Sequence, residues 1–304
     1  MKIPAKHILQ EFVDRTREVA GFERLLSDSS EDSPGRIMCI YGPGGTGKSV
    51  LLSRMMAECE RRGIGWVYIE WEDSRHYNYL DVMRMIRDTT APHLFHLFND
   101  RVNFYTVHDY NLKIPLEVGT IQDVQVLSNG EIQRSGATIH VGHEIKDFTV
   151  NILRPDRDVT EGEVIIECTR AFMRCLQARV SETPLVIFFD ALEKADEHTL
   201  KWIWAELLER LRDQEITNLL VILAGRNPFE PNTTFFDCAE ACELMPFQVE
   251  HILEYLGKRG LEGREDFAEF ILANSDGNPL QVALSVNNFI RFRRKRQSDG
   301  ELRR

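Results

Sequence analysis

The eight residues from Gly42 to Ser49 have the residue types and the spacing of a phosphate-binding loop. They read Gly-Pro-Gly-Gly-Thr-Gly-Lys-Ser and match the pattern G-x-x-x-x-G-K-[ST]. Glycine lets the backbone turn several N–H groups toward one anion, and the Lys48 ammonium adds a point charge for the β- and γ-phosphates of a nucleotide. The Ser49 hydroxyl is a suitable ligand for Mg²⁺. The predicted nucleotide-binding residues of this segment are Gly42, Pro43, Gly44, Gly45, Thr46, Gly47, Lys48, Ser49 and Val50.

The segments on either side of this loop have the patterns that such a loop needs. Residues 36–41, Arg-Ile-Met-Cys-Ile-Tyr, predict a short apolar strand that enters the loop. Residues 49–57 carry apolar side chains at helical spacing and predict the helix that leaves it. The positive end of that helix dipole would face the phosphates. A chance match by a glycine-rich turn is the alternative, and the flanking strand and helix argue against it.

Three charged residues beyond the loop are candidates for phosphoryl-transfer chemistry. Asp190 ends the apolar run 185–189, where a buried parallel strand would present it to Mg²⁺, or where it would cap the next turn. Glu193 is the candidate that positions or deprotonates water, unless it is a solvated loop carboxylate. Arg226 ends the apolar run 219–225, where it would contact a γ-phosphate or lie in solvent. The predicted catalytic residues are Lys48, Asp190, Glu193 and Arg226, and the predicted Mg²⁺ ligands are Ser49 and Asp190.

The sequence favours adenine over guanine as the base of the nucleotide. Guanine recognition calls for Asn-Lys-x-Asp, and the nearest string is Glu-Lys-Ala-Asp at 193–196. Its first residue is wrong and it lies too close to Asp190. We therefore expect ATP or ADP with Mg²⁺ as the cofactors.

Composition and charge argue against several classes of protein. Hydrophobic residues make up 43% of the 304 residues and charged residues 28%, which is typical of a globular protein. No apolar run is long enough to span a bilayer and the N-terminus has no secretory h-region, so we expect a cytoplasmic protein without membrane contact. The net charge of −11 argues against nucleic-acid binding through the overall field. The basic segment 291–296 remains a candidate for nucleic acid or an acidic partner, although a solvated helix end is the favoured interpretation.

Apolar runs that alternate with helical patterns predict an α/β protein with a three-layer α/β/α fold. Its parallel five-stranded sheet takes a short fifth strand from Leu244 to Phe247, and an N-terminal helix is expected over 7–27. Alternating residues around Ser128-Asn129-Gly130 predict a β-rich insertion at about 103–157. We expect an ATPase domain over 1–247 and a C-terminal helical lid over 248–304. The other predicted strands are 36–41, 65–71, 185–190 and 219–226.

Two further segments give the chain a family resemblance. Residues 12–18, Phe-Val-Asp-Arg-Thr-Arg-Glu, are similar to the F-V-G-R-x-x-E opening of AAA-type ATPases. Residues 277–280, Gly-Asn-Pro-Leu, resemble the G-x-P motif of STAND NTPases, the class that includes the NACHT and apoptotic-ATPase proteins. Together with the phosphate-binding loop, the segment 189–193 and the Gly225-Arg226 pair, they make the chain resemble a STAND-class P-loop NTPase with an AAA-type core.

The resemblance implies a nucleotide held between the core and the lid. It makes Asp190 the Walker B aspartate, Glu193 its acidic partner and Arg226 the sensor arginine. It also implies that Val13 and Arg15 lie near the base. Pro279 would approach the adenine or the β-phosphate from the lid, while Thr46, Gly47, Lys48 and Ser49 would hold phosphates and Mg²⁺.

Departures from the family pattern shape the expected function. Ala191 stands where many AAA-type enzymes have glutamate, Lys194 replaces one of two acids, and Asp14 replaces a glycine. We therefore expect weak ATPase activity in a signalling protein that works as a nucleotide-dependent conformational or oligomerisation switch. It would be a fragment or a minimal member that self-associates or acts on an effector in trans. The alternatives are a DNA-associated AAA+ ATPase, such as an initiator-like protein or transposition helper, and a non-hydrolysing ADP-bound scaffold.

Overall fold

The structure is a computed structural model of the chain. It describes residues 12–27, 36–71, 77–106, 110–112, 124–126, 132–134, 148–150, 161–228 and 239–301. Two compact units divide the chain, one of residues 1–90 and 180–304 and the other of residues 91–179. The first unit contains the phosphate-binding loop and the helices after residue 248.

The described strands of the first unit form one parallel five-stranded sheet, which confirms the predicted fold class. Its strands are β1 (Ile37–Tyr41), β2 (Gly65–Glu70), β7 (Leu185–Asp190), β8 (Leu219–Gly225) and β9 (Ala239–Glu243), and their order across the sheet is β2-β7-β8-β1-β9. β8 therefore separates β1 from β7. Because parallel strands end at the same edge of the sheet, this order brings the ends of β7 and β8 beside the loop that follows β1.

Helices connect these strands and continue after the last one. They are α1 (Thr16–Ser27), α2 (Lys48–Arg62), α3 (Tyr79–Thr90), α6 (Glu197–Trp202), α7 (Glu209–Arg212), α8 (Val249–Lys258), α9 (Glu265–Ser275) and α10 (Pro279–Glu301). A π-helical segment, Ile203–Leu208, joins α6 to α7. The helical patterns that alternate with the apolar runs of the sequence therefore form helices.

The core of this unit explains why α2 lies against the sheet. Leu51, Leu52, Met55 and Cys59 recur at helical spacing on α2, and all four are fully buried. They pack with sheet residues that point to the same face, which are Met38, Ile40, Val186, Phe188, Leu220 and Ile222. Burial of this apolar area fixes the helix that begins at Lys48, and so fixes the loop before it.

The helices α8, α9 and α10, which are called the lid below, share a second apolar core. This core contains Val13, Phe247, Ile252, Tyr255, Leu256, Leu261, Ala268, Ile271, Val282 and Val286. Val13 comes from the segment before α1, so this segment packs with the lid. Within the part of the chain that the structure describes, no helix is long and apolar enough to cross a membrane.

The second unit, residues 91–179, contains the predicted β-rich insertion. A 3-10 turn (Pro92–Phe95) and α4 (His96–Thr106) precede it, and α5 (Glu161–Glu182) follows it. Its short strands β3 (Tyr110–Leu112) and β6 (Phe148–Val150) pair antiparallel, as do β4 (Val124–Val126) and β5 (Ile132–Arg134). The β4–β5 pair flanks the predicted turn at 128–130, which itself lies outside the described residues.

Two sequence-based boundaries are wrong. The expected helix over 7–27 does not continue through 12–15, because Asp14 and Arg15 have positive φ values of 59° and 67° that no right-handed helix accommodates, and α1 begins at Thr16. The part of that prediction over 7–11 lies outside the described residues. The fifth strand is Ala239–Glu243 and not Leu244–Phe247. Its partly exposed, glutamate-containing sequence lacks the apolar run of a central strand, since it lies at the edge of the sheet.

Candidate functional site

The loop Gly42–Gly47 folds as a tight turn between β1 and α2. Gly45 and Gly47 have φ values of 83° and 92°, a conformation that strongly favours glycine. The Thr46 hydroxyl donates to the Pro43 carbonyl at 2.9 Å and closes the turn. Lys48 is the first residue of α2, and its ammonium donates to the carbonyls of Gly42 at 2.6 Å and Pro43 at 2.9 Å. The lysine is thereby held at the mouth of the loop, where the helix N-terminus also points.

Charged groups at the ends of the two neighbouring strands β7 and β8 act on the Lys48 ammonium. Partial burial lowers the pKa of Lys48, while the carboxylates of Glu193 and Asp190 oppose that shift and the Arg226 guanidinium adds to it. The four side chains are therefore close enough to interact electrostatically. This is the set that the sequence predicts as catalytic, and the position of β8 between β1 and β7 brings it together.

Asp190 is held in one orientation by two donors. It is 3% exposed, and its Oδ1 accepts a hydrogen bond from the Ala191 N–H at 2.8 Å. Its Oδ2 accepts from the Tyr68 hydroxyl, also at 2.8 Å. Burial and the negative charge of Asp190 raise the pKa of Tyr68, so the phenol stays a donor. Tyr68 lies on β2, the neighbour of β7, and is a site residue that the sequence analysis missed.

Glu193 and Arg226 form an ion pair at the same edge of the sheet. The Arg226 Nε lies 3.0 Å from Glu193 Oε1, and the backbone N–H of Arg226 donates to Glu193 Oε2 at 3.2 Å. The Glu193 side chain is 24% exposed and that of Arg226 is 60% exposed. Both carboxylate oxygens of the predicted water-positioning residue are therefore engaged by the predicted sensor arginine.

The lid contacts the phosphate-binding loop directly through Asn278. Its Nδ2 donates to the Gly44 carbonyl at 2.9 Å, and its Oδ1 accepts from the N–H groups of Leu280 and Gln281 at 3.1 and 3.3 Å. Asn278 is thus the N-cap of α10, with a proline at the first helical position. The Leu280 N–H also lies 3.1 Å from the Gly45 carbonyl. Two hydrogen bonds therefore join the start of α10 to the loop.

Gly277 explains the first residue of the Gly-x-Pro motif. Its φ is 70°, and a Cβ there would lie 2.2 Å from the Phe247 carbonyl oxygen. The Phe247 N–H donates to the Gly277 carbonyl at 2.7 Å. Close backbone packing therefore requires glycine here, and it fixes the turn that presents Asn278 to the loop.

A cavity of about 390 Å³ lies between the loop and the lid. Its wall is mostly apolar, and Arg259 and Asn287 are polar lid residues that border it. The lining residues are Phe12, Val13, Arg15, Thr46, Gly47, Val50, Phe247, Tyr255, Arg259, Pro279, Ala283 and Asn287. The cavity has the size of a small-molecule site, and apolar side chains and a few polar groups line it together. Val13, Arg15, Val50 and Pro279, all predicted from the sequence, line it.

Arg15 has a structural arrangement of its own beside this cavity. It is 5% exposed, and its Nη2 donates to the carbonyls of Thr46 at 3.2 Å and Met245 at 2.7 Å. Its guanidinium lies 5.6 Å from the ring centre of Phe247. Arg15 therefore connects the segment before α1 to the phosphate-binding loop and to the segment that leads into the lid.

The residues present fit a magnesium nucleotide. Asp190 and Ser49 offer the oxygen ligands that Mg²⁺ prefers, and Lys48 offers the charge that a phosphate chain requires. The apolar cavity walls suit a flat base, and Thr46 and Gly47 belong to both the cavity and the loop. A base in the cavity would be continuous with phosphates at the loop.

Tyr68, Asn278, Arg259 and Asn287 are residues of this site that the sequence patterns did not predict. Asn278 had a detectable signal, because Asn-Pro before an apolar helical run is a good N-cap followed by a good first residue. Its contact with Gly44 spans 234 positions in sequence and has no local signature. The other three act across strands or between helices, which a single sequence does not reveal.

Comparisons with known proteins identify a sequence family and a related fold. Residues 11–222 match the family model described as the AAA ATPase domain. Comparison with the curated proteins gave no similar sequence. The solved structure of Cdc6p from Pyrobaculum aerophilum is 14% identical, with 95% of this chain and 64% of that chain covered and a TM-score of 0.51.

Two other solved structures have lower TM-scores. A Walker-type ATPase of Pyrococcus abyssi is 16% identical over 89% of this chain and 66% of its own, with a TM-score of 0.44. A STAND protein with a tetratricopeptide repeat sensor from Pyrococcus horikoshii is 12% identical over 89% of this chain and 29% of its own, with a TM-score of 0.46. The chain thus spans less than two thirds of the length of all three structures. At such identities the likeness concerns the fold alone, and only that to Cdc6p is strong enough to support it.

Proposed function

Because the chain belongs to the AAA ATPase domain family, whose members bind ATP, we propose that it is a STAND-type switch whose conformation or assembly follows the bound nucleotide. The observation that carries this proposal is the direct contact between the lid and the phosphate-binding loop. Asn278 and the Leu280 N–H bond the carbonyls of Gly44 and Gly45. A change at the loop therefore acts on the lid without an intermediate element.

The proposed nucleotide site combines the loop, the sheet edge and the cavity. Backbone N–H groups of the loop and the Lys48 ammonium would hold the phosphates, and Ser49 with Asp190 would hold Mg²⁺. The base would occupy the apolar cavity, with Val13 on one side and Pro279 on the lid side. Bound ATP supplies the phosphoanhydride bond that hydrolysis breaks.

Nucleotide binding would change the contacts of side chains that already interact with each other. Arg226 lies in the electrostatic field of Lys48 and carries a side chain that is 60% exposed. A γ-phosphate would compete with Glu193 for this guanidinium, because phosphate offers a stronger partner for arginine. The lid contacts Gly44 and Gly45, which belong to the same phosphate-binding loop. A bound phosphate chain would therefore shift both the partner of Arg226 and the contact between the lid and the loop.

Slow turnover is part of this proposal. Glu193 is the carboxylate that would orient water, and Arg226 engages both of its oxygens. The residue after Asp190 is Ala191, which offers no carboxylate of its own. Hydrolysis would therefore wait on release of Glu193 from Arg226, which favours long occupancy by one nucleotide over rapid cycling.

Light scattering coupled to size-exclusion chromatography tests the switch. The mass and hydrodynamic radius are measured without nucleotide, with ADP and Mg²⁺, and with a non-hydrolysable ATP analogue and Mg²⁺. We expect the analogue to produce a different radius or mass from ADP, and Lys48→Ala to abolish the difference. Lys201→Ala, at an exposed lysine on α6, is the matched control. Identical behaviour of the wild type in all three conditions would contradict the switch.

A DNA-associated ATPase is the second candidate, and one observation favours it. Arg291, Arg293, Arg294 and Lys295 are all exposed on the C-terminal part of α10. A cluster of this kind makes salt-dependent contacts with phosphates, although the net charge of −11 opposes binding at long range. Replacement of all four by glutamine should abolish DNA binding in a filter or anisotropy assay at low salt. Absence of binding by the wild type would remove this candidate.

A non-hydrolysing ADP-bound scaffold is the third candidate. The ion pair between Glu193 and Arg226, together with Ala191, supports it. Phosphate release measured over hours, with Glu193→Gln as the comparison, separates it from a slow ATPase. Release that depends on Glu193 would rule out the scaffold.

A further inference from the structure

We propose that Asn287 on α10 reads the edge of an adenine base, and that Arg259 fixes the orientation of its amide. This inference rests on the proposed nucleotide site and names its specificity-determining residue. Both residues border the cavity that continues from the phosphate-binding loop. Arg259 follows the last residue of α8, so the pair joins two lid helices across one wall of the cavity.

The contact between the two side chains fixes the Asn287 amide. Arg259 Nη2 donates to Asn287 Oδ1 at 2.6 Å. A guanidinium has donors and no acceptor, so the amide atom that faces it has to be the oxygen. The Nδ2 group is therefore held on the other side of the amide as a donor, while Oδ1 keeps a second lone pair.

The walls of the cavity favour a flat aromatic ring beside this amide. Phe12, Val50, Tyr255, Pro279 and Ala283 contribute apolar surface to the lining. Arg15 is the other arginine of the lining, and it already donates to two main-chain carbonyls. Asn287 and Arg259 are the amide and the guanidinium that the lid contributes to the lining, beside the Tyr255 phenol.

An oriented asparagine amide discriminates between the two purines. Adenine presents an acceptor nitrogen beside its exocyclic N6 donor, which matches one donor and one acceptor of the amide. Guanine presents O6 in place of N6, so Oδ1 would face an acceptor. Arg259 prevents the amide from turning over to suit guanine, because a reversed amide would bring Nδ2 against the guanidinium. A good bidentate pair of this kind is worth about 5- to 150-fold in affinity.

Competition binding with three triphosphates tests the assignment. ATP, GTP and purine riboside triphosphate, which lacks the N6 amino group, are titrated against a fluorescent nucleotide on the full chain. We expect the wild type to prefer ATP over both others, by about 5-fold or more. Asn287→Ala should weaken ATP binding and leave GTP binding unchanged, so the ratio collapses. Asn288→Ala, at the exposed neighbour, is the matched control and should keep the ratio.

The role of Arg259 has a separate readout. Arg259→Met removes the donor to Oδ1 and keeps the length of the side chain. We expect it to raise GTP affinity relative to ATP, because the freed amide can turn over, whereas a purely structural loss would lower both affinities equally. Equal losses for ATP and GTP in this variant would overturn the positioning role.

Three outcomes separate this inference from the proposed function. If the wild type binds ATP and purine riboside triphosphate equally, Asn287 does not read adenine, and this result needs no variant to fold. If Asn287→Ala binds with an unchanged ATP-to-GTP ratio, the inference fails while nucleotide binding stands. If the wild type binds none of the three, both the inference and the proposed nucleotide site fail.

Discussion

Replacement of Gly45 by alanine should separate the lid from the phosphate-binding loop. A Cβ at this position would lie 2.6 Å from the Asn278 Oδ1 and 3.1 Å from the Leu280 Cβ, both of which belong to the lid. The first distance is far inside van der Waals contact, so one partner has to move. Because the loop is anchored between β1 and α2, we expect the lid side to give way.

The magnitude follows from the hydrogen bonds that the displacement breaks. The Asn278 Nδ2 bond to Gly44 and the Leu280 N–H bond to Gly45 join the two parts. At about 1 kcal/mol each, they contribute roughly 2 kcal/mol to the closed arrangement. Their loss would raise the population of molecules in which the lid is detached from the loop about 30-fold.

Hydrogen exchange of the α10 N-terminus is the assay, with Gly47→Ala as the control. Gly47 has a similar φ of 92°, but a Cβ there would meet no atom within 4 Å. Both variants therefore carry the backbone strain, roughly 1–2 kcal/mol, and only one carries the lid clash. The Leu280 and Gln281 amides should exchange faster in Gly45→Ala than in Gly47→Ala by about 30-fold. Equal exchange in the two variants would refute the contact between lid and loop.

Three further predictions concern residues that support the site or the fold. Tyr68→Phe removes a donor to Asp190 and should weaken Mg²⁺-dependent ATP binding by about 10- to 100-fold, with Mg²⁺-free binding as the control. An unchanged metal dependence would argue against the positioning of Asp190. Arg15→Met leaves two main-chain carbonyls without their donor and should lower the free energy of unfolding, measured in urea, by about 2–4 kcal/mol. The same change at the exposed Arg17 should lower it little, and equal losses in the two variants would contradict the structural role of Arg15. Glu58→Gln should lower the free energy of unfolding by about 2 kcal/mol at pH 7 and by less at pH 3. An equal loss at both pH values would contradict a stabilising role of the Glu58 ion pairs.

The sign of the last prediction comes from the ion pairs of Glu58. Its side chain is 2% exposed and bonds Arg61 at 2.5 Å and Arg62 at 2.7 Å. Hydrogen bonds from Arg61 above all lower the pKa of Glu58 from 4.5 to about 2. A lowered pKa means that the stabilisation is complete above pH 4.5 and is lost as the pH falls toward 2. Glu60→Gln, at the exposed neighbour, should show no such pH dependence.

The fold was largely predictable where one physical signal dominates. Residues 185–189 are apolar because β7 is buried on both faces, and the predicted bounds 185–190 of this strand match the structure. The loop 42–47 was predictable because glycine spacing and a following lysine rarely coincide by chance. The prediction of helix at Asp14 and Arg15 was wrong because long-range hydrogen bonds from Arg15 to Thr46 and Met245 override the local helical preference.

The charged residues at the strand ends of the site were predictable from the sequence, whereas the hydrogen bonds between distant elements were not. Asp190 and Arg226 stand directly after apolar runs, and this position is visible in a sequence. The Tyr68 bond to Asp190 depends on which strands are neighbours, and the Asn278 bond to Gly44 depends on how the lid packs. Such contacts follow from tertiary structure, and local patterns of one chain do not specify them.

Calorimetric titration of ATP with Mg²⁺ into the full chain tests the central claim most directly. We predict saturable binding of one ATP for each chain, and its loss in Lys48→Ala, with Lys201→Ala binding as the wild type does. Absence of binding by the wild type, or equal affinity of the wild type and Lys48→Ala, would contradict the assignment of Gly42–Ser49 as the phosphate-binding part of an ATP site.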